Sequence, residues 1–187
     1  MNAPDERMLV QGCLANDAKS QEALYTRYVR RMYAVCLRYA RHEAEAQDML
    51  QDGFIRVFGK LRDFRQAGSL EGWVRRIMVT TCINHLRRLA VRMEHIGTDD
   101  LPAPAVPEEA LATLGLQEVQ ALLAALPTGY RTVFNLYAVE GYDHAEIAAL
   151  LGIGESTSRS QLAKARRMLQ QRINELDEHV HTRKTSA

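Results

Sequence analysis

Apolar side chains recur at helical spacing along most of the chain, and no segment shows the strict alternation of a β-strand. Toward the N-terminus, the pattern predicts helices at Glu6–Asn16, Ala18–Ala40, Glu43–Leu61 and Ser69–Arg92. Toward the C-terminus, it predicts a helix near Ala112–Ala125, a helix at Pro127–Glu140 and a further pair between Asp143 and Leu169. The sequence therefore predicts an all-α fold.

The segment His95–Ala110 interrupts this helical pattern. It contains Pro102, Pro104 and Pro107, which prevent a helix and favour an extended chain. We therefore predict two small helical domains, residues 1–92 and 112–176, joined by an extended acidic, proline-containing linker, residues 93–111. A polar, fraying tail is predicted for residues 177–187.

The pair of helices between Asp143 and Leu169 is typical of a helix-turn-helix. Asp143 and Glu146 match a capping box, and Gly152-Ile153-Gly154 supplies the tight turn. The inner face of the second helix carries Ser158, Leu162, Ala165 and Leu169. Its outer face carries donors and cations that suit a major groove: Ser156, Thr157, Arg159, Ser160, Lys164 and Arg167. The alternative is an ordinary helical hairpin with a solvated basic face.

Several other side chains are predicted to be buried. In the helix Pro127–Glu140, helical spacing places Tyr130, Val133, Phe134 and Tyr137 on the core side. Cys13, Cys36 and Cys82 each fall within an apolar helical pattern. Because they are odd in number and scattered, they indicate small buried hydrophobic residues rather than a disulfide framework.

Composition and charge narrow the picture further. A length of 187 residues allows one or two domains, and the formal net charge of +1 is by itself a weak argument against nucleic acid. The distribution of charge is more informative: residues 72–92 and 156–172 carry arginine and lysine without acids, whereas residues 94–118 carry acids without cations. This pattern suggests two DNA-contacting modules and a linker with a different role.

Other classes of protein find little support. There is no apolar run of about 18 residues and no signal-peptide layout, so we expect a cytoplasmic protein without membrane insertion. The histidines and cysteines show no metal-binding spacing beyond the weak pairs Cys82–His85 and His179–His181. Phosphate-binding glycine loops and nucleophile elbows are also missing, so we expect no enzyme, no cofactor and no metal site.

Three segments, residues 46–64, 68–88 and 123–169, resemble conserved regions two and four of bacterial RNA polymerase sigma factors. The resemblance is to the small extracytoplasmic-function (ECF) group, which keeps only those two domains. It implies a factor that recruits core polymerase to promoters, reads the minus-thirty-five element as duplex and melts the minus-ten element. The implied partners are the β and β′ subunits of the polymerase core and promoter DNA, with an anti-sigma factor as a further candidate.

The resemblance assigns a docking role to the third predicted helix. Asp48, Gln51 and Asp52 share one helical face, and together with Arg56 they are implied to bind the clamp helices of β′. The alternative is a solvated acidic face. Gly53 stands where the family usually has an apolar residue, which indicates either close approach of a partner backbone or local weakness of the helix.

The resemblance also implies that the loop before the fourth helix holds a flipped base of the minus-ten element. The residues implied in minus-ten binding are Arg65, Gln66, Ser69, Arg75, Arg76 and Thr80. Gln66 and Ser69 would read the base edge, and the arginines would hold the backbone. Phe64 and Trp73 fit both base stacking and core packing, of which we favour packing.

The outer-face residues of the second helix of the pair, given above, are implied to bind the minus-thirty-five element. Within that helix, Ser158 replaces a usual aliphatic residue and Gln161 a common arginine. These departures predict looser packing and an altered sequence preference. Two alternatives to a sigma factor remain: a helix-turn-helix regulator of another type, and an adaptor that binds no DNA.

Overall fold

The computed structural model describes residues 3–65, 68–94 and 121–185, and the side chains of residues 6–65, 68–89 and 121–175. All regular elements within these residues are helical, which confirms the predicted all-α fold. The chain divides into two compact units after Gly97, inside the predicted linker. Most of that linker and Gln66 lie outside the described residues.

The first unit contains α1 (Ala3–Leu14), α2 (Ala18–Tyr39), α3 (Glu43–Lys60), a short 3₁₀ turn (Leu61–Asp63) and α4 (Leu70–Glu94). Local sequence fixes where two of these helices begin. The Asp17 carboxylate accepts a hydrogen bond from the Ser20 N–H at 2.9 Å and caps α2. The His42 Nδ1 accepts from the Glu45 N–H at 3.2 Å and caps α3.

The core of the first unit lies between α2, α3 and α4, which pack against one another in pairs, while α1 packs on α2. Its largest fully buried side chains include Leu24, Tyr28, Met32, Met49 and Met78. The three cysteines are free and buried, as predicted, and the Cys36 and Cys82 sulfurs lie 3.9 Å apart between α2 and α4.

Gly53 lies on α3 at the contact with α4. It is buried, and a Cβ atom added there would overlap the Met78 sulfur. The group that approaches Gly53 is thus a side chain of this chain itself and not the partner backbone that the sequence suggested. The glycine makes room for Met78 in the core.

The second unit contains a helical turn at residues 121–124, then α5 (Thr128–Phe134), a π-helical turn (Asn135–Val139), α6 (His144–Leu151) and α7 (Glu155–Thr185). α5 and α6 both pack against α7. The helix-turn-helix has the predicted form: Asp143 and Glu146 make a complete capping box, and Gly152 ends α6 in the left-handed conformation with φ 69°. Ser158, Leu162 and Ala165 are buried on the inner face of α7.

α7 continues to Thr185, through most of the segment 177–187 for which the composition predicts a polar, fraying tail. One prediction for the second unit was wrong. Tyr137 is 37% exposed rather than a core residue; within the π-helical turn, Asn135 and Leu136 are the buried residues. Val133 is fully buried, and Tyr130 and Phe134 pack against the core as expected.

Candidate polymerase and promoter interfaces

The exposed face of α3 combines acidic and apolar side chains. Asp48, Gln51 and Arg56 are exposed, and Asp52 is partly exposed and pairs with Arg88 of α4 at 3.3 Å. Ile55, which was not among the predicted docking residues, is 63% exposed. Because it follows Asp48 by seven residues and Asp52 by three, it lies on the same helical face. The signal that could have identified Ile55 is its apolar side chain at helical spacing within a stripe of polar residues.

The neighbouring surface of α2 contributes an aromatic ring. Tyr25 is 42% exposed, and its ring packs against the buried Phe54 ring of α3 with a centroid distance of 4.7 Å. Phe58 lies next to Phe54, with a centroid distance of 6.3 Å. Ile55 precedes the partly exposed Phe58 by three residues, so the two are neighbours on the surface of α3. An exposed patch that is both apolar and acidic suits a protein partner.

The start of α4 is held by Ser69. Its hydroxyl oxygen accepts the Gly72 N–H at 3.1 Å, and its carbonyl accepts the Trp73 N–H at 3.1 Å. Ser69 is thus the N-cap of α4, a role that its position at the start of the predicted helix Ser69–Arg92 could have revealed. Phe64 and Trp73 pack against each other with ring centroids 5.4 Å apart, which agrees with the favoured packing role.

Basic and polar side chains follow along α4. Arg65, in the loop before the helix, and Arg76 are exposed, and Arg75 is partly buried. The Thr80 hydroxyl donates to the Arg76 carbonyl at 2.8 Å, so its proton is used within the helix and its oxygen can still accept. The helix brings Arg76 and Thr80 onto one face, four residues apart.

The first half of α7 presents all six predicted outer-face residues to solvent. The Arg159 guanidinium pairs with Glu155 in the same turn. The Ser160 hydroxyl donates to the Thr157 carbonyl at 3.0 Å, and the Lys164 ammonium lies 5.8 Å from the centre of the Tyr130 ring. Exposed ion pairs and cation–π contacts contribute about 1 kcal/mol or less. The Arg159 and Lys164 cations at the surface are therefore held only weakly by these partners.

A polar contact at the inner side of the helix-turn-helix was not predicted. The buried Ser158 hydroxyl lies 2.9 Å from the His144 Nδ1, and the His144 ring stacks on Tyr137 with a centroid distance of 4.7 Å. The serine therefore does not merely leave a gap where an aliphatic side chain was expected. No local pattern identifies this contact, because its two residues are 14 positions apart.

The described side chains include no group of three or more histidine, cysteine, aspartate or glutamate residues that could hold a metal ion.

Hydrogen bonding to Cys36 and burial raise the pKa of the Cys82 thiol well above its ordinary value. Burial and the nearby Asp17 carboxylate raise the pKa of Cys13. Both groups are therefore poor nucleophiles at neutral pH.

Among the described helices, none combines the length and the apolar character needed to span a membrane.

Comparison with known proteins supports the interpretation of both units. Residues 24–92 match the family described as Sigma-70 region 2, and residues 116–169 match Sigma-70, region 4. The chain is 33% identical over 156 residues to the ECF RNA polymerase sigma factor SigE of Mycolicibacterium smegmatis. The chain belongs to the ECF group of the sigma-70 family. As a sigma factor, it is a transcription initiation factor and not an enzyme.

The extent of the similarity differs between relatives of this sigma factor. The match to SigE covers 80% of the chain and 60% of that relative. The match to SigM of Mycobacterium tuberculosis is 28% identical over 179 residues and covers 94% of the chain and 88% of that relative. The sigma factor RpoE of Bartonella quintana, solved in complex with the anti-sigma factor NepR, has the same fold, with a TM-score of 0.54 at 19% identity over 84% of this chain and 98% of that chain.

Proposed function

We propose that this sigma factor directs RNA polymerase to promoters in the cytoplasm through three surfaces: α3 docks on the core enzyme, the loop before α4 and α4 itself engage the minus-ten element, and α7 reads the minus-thirty-five element. The observation that carries the proposal is α7. Its inner face is buried against α5 and α6, whereas its outer face exposes the six predicted donors and cations. That division is what a helix needs to lie in a major groove.

On α3, the docking residues are Asp48, Gln51, Asp52 and Arg56, and we add Ile55 as their apolar centre. Interfaces derive most of their affinity from a few buried apolar or aromatic residues, while rim charges mainly guide association. Ile55 fills the first role, and the acids suit a basic partner surface. We assign this surface to the β and β′ subunits of the core.

On the minus-ten surface, we assign helix capping and most of the base reading to different residues. Because the Ser69 hydroxyl oxygen already accepts the Gly72 N–H, its proton and one lone pair remain for a flipped base. Gln66 supplies the amide that reads the base edge, and Arg65, Arg75, Arg76 and Thr80 line the path of the strand. Displaced bases need such contacts because unstacking costs a few kcal/mol.

On the minus-thirty-five surface, Arg159 exchanges its partner on binding DNA. Its pair with Glu155 is exposed, and pairs of that kind are easily replaced by a phosphate or a guanine edge. Ser156, Thr157, Ser160, Lys164 and Arg167 supply the remaining contacts. An anti-sigma factor is a further proposed partner, supported by the complex in which the structurally similar RpoE was solved.

Abortive initiation with purified core polymerase tests the proposal. Wild-type chain should start short transcripts from a promoter pool, whereas a helix-turn-helix regulator of another type would bind DNA without starting any. Asp48→Lys and Ile55→Glu should abolish product by blocking assembly with core. Glu43→Lys makes a matched change on the same helix about 140° away, and it should leave product intact. Unchanged product from both docking variants contradicts the assignment of α3.

A further inference from the structure

His144 occupies a central position in the helix-turn-helix. It is the first residue of α6, and its Nδ1 lies 2.9 Å from the hydroxyl of Ser158 in the first turn of α7. Ser158 is fully buried. A buried hydroxyl without a partner costs free energy, and His144 is the partner that satisfies it. The bond therefore ties the start of α6 to the start of α7.

The face of the same imidazole is held by a second element. Tyr137, in the π-helical turn, stacks on His144 with an interplanar angle of 23°. The Arg166 guanidinium of α7 lies 5.6 Å from the centre of the Tyr137 ring. His144 is thus held at its edge by α7 and at its face by Tyr137, which itself contacts α7. These contacts join three helical elements around one ring.

We propose that His144 is a positioning residue for promoter reading: through Ser158 it fixes the first turn of α7, and so places Thr157 and Arg159 against base edges. This inference rests on the proposed function. Thr157 and Arg159 flank Ser158 in sequence, so any displacement of Ser158 moves both. Hydrogen bonds to base edges depend strongly on distance and angle, whereas attraction to phosphates changes little with a small shift.

Two substitutions separate the two contacts of the ring. His144→Asn keeps a hydrogen-bonding atom near the Nδ1 position and removes the ring. His144→Phe keeps a ring for Tyr137 and removes the hydrogen bond. Ser158→Ala removes the same bond from the other side and changes little volume, so it provides the test if the phenylalanine variant does not fold. His42→Phe is the matched control, since it breaks an Nδ1 hydrogen bond at a helix start in the first unit.

The measurement is base discrimination. Full-length wild-type chain assembled with core polymerase first selects duplexes from a randomised pool. Each variant, confirmed as folded by circular dichroism, is then titrated with a selected duplex and with duplexes carrying single base-pair changes at the minus-thirty-five position. We expect His144→Phe and Ser158→Ala to reduce the ratio of the two affinities about tenfold, or about 1.4 kcal/mol. The salt dependence should stay the same, because phosphate contacts set it.

The other variants and the wild-type selection distinguish failure of the His144 inference from failure of the proposed function. His144→Asn should keep most of the discrimination, and the double variant His144→Phe/Ser158→Ala should be no worse than either single one. Wild-type discrimination in both His144→Phe and Ser158→Ala overturns the inference, even if their melting temperatures fall. So does an equal loss in His42→Phe. Failure of the wild-type chain to select any sequence overturns instead the proposed function.

Discussion

The two units of this sigma factor use different interiors. The first unit buries a mainly apolar core between long helices, and those of its candidate functional side chains that the structure describes lie outside that core. The second unit has a small apolar cluster around Leu123, Leu126 and Ala165. Among its described residues, Arg131, Thr132, Asn135 and Ser158 are also buried.

This difference concerns how stability relates to function. In the first unit, Gly53 and Met78 are buried, whereas the proposed docking residues of α3 are exposed or partly exposed. No residue belongs to both sets, so we expect that the core and the proposed interface can be altered separately. In the second unit, Ser158 belongs both to the interior and to the helix that we propose reads DNA. We therefore expect changes in the first core to affect folding alone, and changes in the second interior to affect promoter recognition as well.

The largest expected effect lies in the first core. Met78→Ala should lower the free energy of unfolding of the first unit by about 2–5 kcal/mol, because it leaves a cavity. Adding Gly53→Val should restore part of that stability by filling the space. Trp73 is the only tryptophan, so its fluorescence during denaturation reports on this unit. Ile55→Ala, at an exposed position, should change little, and strictly additive costs would contradict the pairing of Gly53 with Met78.

The next effect tests the surface of the second unit. Arg159→Ala and Lys164→Ala should weaken binding to the minus-thirty-five element by about 1–3 kcal/mol for each hydrogen-bonded base that the variant no longer reaches, and reduce the salt slope by about 1 for each phosphate it no longer neutralises. Titrations of the holoenzyme at several salt concentrations measure both. Arg172→Ala removes a cation further along α7 and serves as control. Unchanged promoter binding in a folded double variant rules out this surface.

A smaller effect directly tests the coupling in the second unit. Asp143→Ala removes the capping box of α6 and should cost about 0.5–2 kcal/mol of stability. Because His144 follows immediately, promoter discrimination should fall as well. Asp17→Ala removes the corresponding cap of α2 in the first unit and should leave discrimination unchanged. If the two variants behave alike in DNA titrations, the proposed contrast between the units is wrong.

The smallest effect is a pH dependence in the first unit. Hydrogen bonds from the Ser20 hydroxyl and N–H lower the pKa of Asp17. A lowered pKa in the folded state means that this stabilisation is present above the ordinary aspartate pKa of about 3.9 and is lost as pH falls through the folded value. Because Asp17 is exposed, the effect should be small. NMR titration should show the pKa of Asp17 return toward normal in Ser20→Ala, and an unaltered pKa would exclude this cause.

Local signals predicted much of this structure. Asp143 and Glu146 are three residues apart, and helical spacing placed Cys36, Cys82 and Leu162 inside correctly. Such features depend on neighbours in sequence, so the sequence is sufficient to find them. The outer face of α7 was predicted for the same reason.

Features that depend on distant residues were missed. The Gly53–Met78 contact and the His144–Ser158 bond require two elements to be packed first. Tyr137 was misplaced because periodicity assumes an unbroken α-helix, and the π-helical turn violates that assumption. The C-terminal part of α7 was missed because polar composition looks alike in an exposed helix and in a tail.

The π-helical turn at Asn135–Val139 also affects which sequence changes this protein can accept during evolution. Its Glu140 N–H bonds to the Asn135 carbonyl five residues back, at 2.9 Å, so the turn holds one residue more than an α-helix requires. Deleting one residue there would restore regular α-helical bonding and spare the fold. It would also rotate the adjoining residues by about 100° and take Tyr137 away from His144. We expect lineages that lose this residue to keep the domain while their set of target promoters drifts.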